Sequence, residues 1–239
     1  MDEIRASQAK RVDPGNAPPM RSLPLAFIPD KERERLCVAA ADATHPHPKA
    51  RAAAFVVATG GRWLMVDKGE RSQIIRVALE SLRRSSVACP ETVAHLEGLE
   101  ALPDWHTYGP RFQSMPRDVH TYLCGPQPKR TDIIGSGKPP SHRCGLDSDA
   151  MRTAGCVLYI LKWHRGPMDG LTAAIDIGGD VDSSAALVLG AIGGSEGLAL
   201  GTPVGIPWWM VEEVEGVEYL VTRAQAFEKW LVSEHLWPS

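Results

Sequence analysis

Residues 150–163 of this chain, from Ala150 to Trp163, are apolar on nearly every side of a helix. A helix without a polar face has to be surrounded, so this segment predicts a central buried helix with others packed around it. The rest of the 239-residue sequence offers partners of the same kind. Between Ser72 and Arg84, the residues Ile74, Ile75, Ala78, Leu79 and Leu82 fall on one stripe at helical spacing, with Arg76, Glu80, Arg83 and Arg84 elsewhere. Further helices are expected from Asp30, as N-cap, to about Ala43, and from Pro48 through an Ala-rich stretch to Gly60-Gly61. Others are expected over Glu91–Ala101, Met168–Ile177, the run after Ser184 to about Ile192, a segment opened by Pro207, and 217–234. Period-two alternation is nearly absent. The expected fold class is therefore all-α, a compact helical bundle without internal repeats.

Two stretches resist this pattern. Residues 1–29 carry Pro14, Pro18, Pro19, Pro24 and Pro29 and read as irregular, with a turn at Gly15-Asn16. Residues 103–145 hold seven prolines and five glycines with no persistent period, an unusually long break for a compact domain. The chain is otherwise of a length for one domain, taken as 1–239.

Composition narrows the partners. A net charge of −3 offers no electrostatic footprint for nucleic acid. No apolar leader opens the chain, and no apolar run approaches the roughly 18 residues that a membrane span needs, so a cytoplasmic, non-membrane protein is expected. The cysteines Cys37, Cys89, Cys124, Cys144 and Cys156 form no CxxC pair, and they read as reduced structural thiols rather than disulfides or zinc ligands.

Three strings carry chemistry. In Gly178-Gly179-Asp180-Val181-Asp182-Ser183, two carboxylates and a hydroxyl sit on a flexible turn ahead of an apolar helix, oxygens of the kind a hard divalent cation takes. Helix capping by one of the acids explains part of the same pattern, and spacing leaves both readings open. Thr44-His45-Pro46-His47-Pro48 brings two imidazoles to a helix-breaking turn, where they serve either a metal or the local backbone. Gly15-Asn16-Ala17-Pro18-Pro19-Met20-Arg21 presents an amide on a tight turn. Asp147 and Asp149 repeat the D-x-D spacing without the Gly-Gly, and capping accounts for them better. Trp208 and Trp209 are expected to pack in the core and at its rim.

In their order along the chain, these strings resemble those of the ADP-ribosylglycohydrolases. The Gly15–Arg21 string is similar to that family's Gly-Asn-Gly-x-x-Met-Arg loop, Ala43-Thr44-His45 to its Thr-His helix start, and Gly178–Ser183 to its Gly-Gly-Asp-x-Asp-Thr/Ser metal loop. Ile206-Pro207-Trp208-Trp209 resembles its Ile-Pro-x-x-Trp segment. The resemblance implies an all-α fold with a binuclear Mg²⁺ centre, in which Asp180, Asp182 and Ser183 supply metal oxygens. It places Asn16 on the ribose or diphosphate of ADP-ribose, with His45, Gly15 and Gly179 lining the same pocket. The implied reaction is hydrolysis of the bond joining ADP-ribose to a modified protein side chain or a related conjugate. The family's Gly-Asp-Ala-x-Gly and Thr-Asp-Asp strings have no counterpart before Gly15. The resemblance therefore implies a partial bundle lacking the N-terminal helices, with no assigned general acid or base and an exposed apolar seam open to self-association. The alternative is a catalytically inactive remnant or an ADP-ribose-binding module.

Overall fold

The computed structural model describes residues 2–125 and 145–236. Helix α8 (Ala150–Trp163) lies at the centre, with only Arg152 and Trp163 outside its buried set. Around it pack α2 (Ala17–Met20), α4 (Pro48–Met65), α5 (Ile74–Arg84), α6 (Pro90–Ala101), α7 (Arg117–Cys124), α9 (Pro167–Asp176) and α10 (Val181–Glu196). Helix α3 (Asp30–Asp42) leans on α4, while α11 (Trp208–Glu212) and α12 (Val217–Ser233) close the described chain. The fold is all-α, and no β-strand forms among the described residues. No described helix is long and apolar enough to cross a membrane.

Close helix packing explains the Ala-rich segment. Small side chains at Ala50, Ala52, Ala53, Ala54 and Ala58 let α4 approach its neighbours, and all five are fully buried. At Gly60 an added Cβ would lie 2.5 Å from Leu158 Cδ2 on α8. The Gly60-Gly61 pair thus marks a helix crossing, not a helix end, and α4 runs on to Met65. The stripe on α5 faces inward as its spacing requires, with Ile74, Ile75, Ala78, Leu79 and Leu82 all buried.

Other expectations are corrected. Residues 1–29 hold α1 (Asp2–Ala9), α2 and a 3₁₀ turn at Leu23–Phe27. Helix α1 buries nothing, so no apolar stripe announced it; Asp2 and Glu3 favour its positive end. Pro18 and Pro19 open α2, where a missing N–H costs no hydrogen bond. Pro29, not Asp30, holds the N-cap position of α3, and Asp30 pairs with Arg33 at 2.6 Å instead. The described part of 103–145 contains α7 and two 3₁₀ turns; 126–144 lie outside the described residues. Trp208 and Trp209 are 56% and 55% exposed, hence not core, because α11 is a short surface helix with no buried residue. Cys37, Cys89, Cys124 and Cys156 are free and buried, and burial pushes the Cys37 and Cys124 thiols up to about 12; Cys144 lies outside the described residues.

Candidate functional site

Three helix starts are tied together by backbone. Leu146 N–H donates to Gly178 O at 3.0 Å, and Asp180 N–H donates to Leu146 O at 2.9 Å, joining the approach to α8 to that of α10. Ala150 N–H donates to Pro14 O at 2.9 Å, and Gly15 pairs with Asp149 in an isolated antiparallel bridge, which brings in the approach to α2. Gly145 leaves no room for a side chain: its Cβ would fall 1.9 Å from the Gly178 carbonyl carbon. Gly179 has φ +75°, and a Cβ there would sit 2.1 Å from Leu146 O. The Gly178-Gly179 pair is therefore required by a close backbone crossing as well as by its dihedrals.

This crossing sets two side chains on each other. Asn16 and Asp180 occupy the N-cap positions of α2 and α10, yet neither makes a side-chain cap hydrogen bond. Asn16 Nδ2 donates instead to Asp180 Oδ2 at 2.8 Å and to Thr153 Oγ1 on α8 at 3.0 Å. The capping alternative for Asp180 thus fails. Burial pushes the Asp180 carboxyl up, but interactions with the side chains of Ser183, Asp182, Ser148 and Asn16 outweigh it and hold the group below its ordinary value. Asp180 is partly buried, Ser183 buried, and Asp182 exposed at the rim.

His45 arrives from the turn before α4. It is buried, its Nδ1 lies 2.7 Å from Thr44 Oγ1, and its Nε2 is 2.8 Å from where a Cβ on Gly15 would stand. Burial lowers its pKa, followed by the charges of Arg21 and Arg11, so the ring stays neutral. His47 does the backbone work at this turn, accepting from Lys49 N–H at 3.1 Å as the N-cap of α4. Asp149 caps α8 as expected, accepting from Arg152 N–H at 2.7 Å. Its Oδ2 is buried and has no hydrogen-bond partner among the described residues.

Asn16, His45, Gly15, Gly179, Asp180, Asp182 and Ser183 are thus brought to one place. Three contributors were not evident in the sequence. Thr153 is fully buried within an apolar helix, where its hydroxyl is the sole hint. Ser148 sits inside the Asp147–Asp149 string read only for capping. Gln8, on α1, accepts from Gly15 N–H at 3.1 Å and steadies the turn. Arg21 secures the other end of α2, donating to Ala40 O at 2.7 Å and to Thr44 Oγ1.

The model of one family, ADP-ribosylglycohydrolase, matches residues 2–235. The chain belongs to the ADP-ribosylglycohydrolase family. Neither a curated protein nor a solved structure gives a match. Among the described residues of the chain, no group of three or more His, Cys, Asp or Glu side chains is arranged to hold a metal ion.

Proposed function

We propose that the chain releases ADP-ribose from modified protein side chains or related conjugates, at the cluster formed by Asn16, His45, Asp180, Asp182 and Ser183. The observation that carries this reading is the Asn16–Asp180 hydrogen bond of 2.8 Å, which joins two strings 164 residues apart that the family resemblance assigns to one pocket.

The donor set suits Mg²⁺. The side chains of Ser183 and Asp182 act on the Asp180 carboxyl and help hold it below its ordinary value, so two carboxylates and a hydroxyl gather as hard oxygens. Adjacent carboxylates repel unless a proton or cation lies between them. Mg²⁺ commonly takes one or two carboxylates and fills its octahedron with water or substrate oxygens. These residues fit one such ion; a second would draw on donors beyond them. The ion would supply Lewis acidity toward ribose oxygens. The chain's own side chains do the rest. Asp180 and Asp182 place negative charge beside a sugar that becomes oxocarbenium-like as its bond breaks. Neutral His45 offers a hydrogen-bonding wall without adding positive charge.

The test is ADP-ribose release from an ADP-ribosylated protein, with Mg²⁺ or with chelator. Turnover that needs Mg²⁺, and that Asp182→Ala reduces by at least about 100-fold as removal of a transition-state electrostatic group does, is expected. Folded protein with no turnover above the chelated control overturns the hydrolase. A second reading is favoured by the lack of any three-carboxylate or histidine cage among the described residues: an ADP-ribose-binding module. Calorimetry showing tight ADP-ribose binding without turnover selects it.

A further inference from the structure

The Asn16 amide is committed on both of its hydrogens. Nδ2 carries two, one bonded to Asp180 Oδ2 at 2.8 Å and the other to Thr153 Oγ1 at 3.0 Å. An ionised carboxylate only accepts, so the end of the amide facing Asp180 has to be Nδ2. The remaining group, Oδ1, receives no hydrogen bond from the described residues. It is a pure acceptor, and a phosphate oxygen at neutral pH is an acceptor too, so the two repel. A hydroxyl, in contrast, donates.

We infer that Thr153 is a positioning residue which, together with Asp180, locks Asn16 with its carbonyl oxygen toward the ligand, so that Asn16 selects a sugar hydroxyl and not the diphosphate. The inference rests on the functional reading above and sharpens it, since that reading left ribose and diphosphate both open. Thr153 suits the task because it is wholly buried, 0% exposed, on the most enclosed helix of the fold. Its hydroxyl therefore has a fixed place and no competing water. Without it, one Nδ2 hydrogen is left unpaired, and the amide, held by Asp180 alone, no longer keeps its carbonyl oxygen fixed on the sugar hydroxyl.

Dissociation constants of ADP-ribose and of ADP separate the two assignments, because ADP keeps the diphosphate and lacks the terminal ribose. They are measured for the wild type, Thr153→Val and Thr153→Ser. Valine matches the volume of threonine and removes the acceptor; serine keeps it. Thr153→Val is expected to weaken ADP-ribose about tenfold, the worth of one well-placed hydrogen bond, and to leave ADP unchanged. Thr153→Ser is expected to stay near the wild type. Equal weakening of both ligands, or of neither, overturns the inference. Exchange of the Asn16 side-chain amide hydrogens, followed by NMR without ligand, is the independent readout. Both should be protected in the wild type and in Thr153→Ser, and one should be released in Thr153→Val. Unchanged protection overturns the positioning role. If Thr153→Val does not fold, Thr153→Ala takes its place in both measurements with the same expected outcomes. A wild type that binds neither ligand fails the functional reading, while the exchange experiment still decides what Thr153 does to Asn16.

Discussion

Gly178 and Gly179 hold φ of +74° and +75°, so a side chain at either is strained by its own backbone. Their surroundings differ. Beyond Gly178 the nearest contact for a Cβ is Gly145 Cα at 3.6 Å, whereas at Gly179 it would strike Leu146 O at 2.1 Å and Leu146 N at 2.5 Å. Gly178→Ala is expected to cost about 1–2 kcal/mol, the range for a left-handed alanine. Gly179→Ala is expected to cost more, because the crossing backbones have to separate, and to displace Asp180 with them. Urea unfolding gives both numbers, and equal costs would show that the crossing adds nothing. At this scale much of the candidate site was legible. Asn16, His45, Asp180, Asp182 and Ser183 each stand in a short string whose residue types already suggest oxygen and amide chemistry. Thr153 was not legible, because its importance comes from a partner 137 residues away and leaves no local trace.

Among the elements, long buried stripes were the readable ones, while α1, which buries nothing, and the short α7, set between prolines, were missed. Helices α5 and α8 declare themselves by where their apolar side chains recur. Helix α1 buries none of its residues, and α12 buries only Leu231, yet α12 was still found because its apolar residues are numerous. The end of α4 was misread for a packing reason, since Gly60 serves the contact with Leu158 and Ile74. Alanine at position 60 gains helix propensity of up to about 1 kcal/mol. It also places a Cβ 2.5 Å from Leu158 Cδ2, and overpacking of this sort costs about 1–3 kcal/mol. Gly60→Ala is therefore expected to destabilise, and Leu158→Ala to destabilise by about 2–5 kcal/mol. In the double variant the new methyl occupies the space vacated by leucine, so the combined loss is expected to fall short of the sum by at least about 0.5 kcal/mol. Additive losses would place the strain elsewhere.

At the scale of the whole molecule, two interior histidines set the acid limit. Burial, and then Arg152, brings His95 down to about 4; burial, and then Arg71, does the same for His164. Each is neutral in the fold where the unfolded chain takes up a proton from its ordinary 6.5 downward. Unfolding therefore binds protons, and stability is expected to be level above about pH 7 and to fall between about 6.5 and 4. Asp149, raised by burial, works against this trend, since it gains a proton more readily in the fold. Melting temperature against pH checks the outcome, with a shallower decline in His95→Gln; an unaltered slope in that variant would rule the histidine out.

The two isolated bridges, Gly15 with Asp149 and Leu146 with Gly179, tie together segments far apart in the chain. Neither is local, so the entropy of closing those long loops has to be met before any pocket exists. The candidate site is consequently assembled late. A ribosome must finish the Gly178-Gly179 turn before the Asn16 amide, which can meet Thr153 earlier, finds its carboxylate.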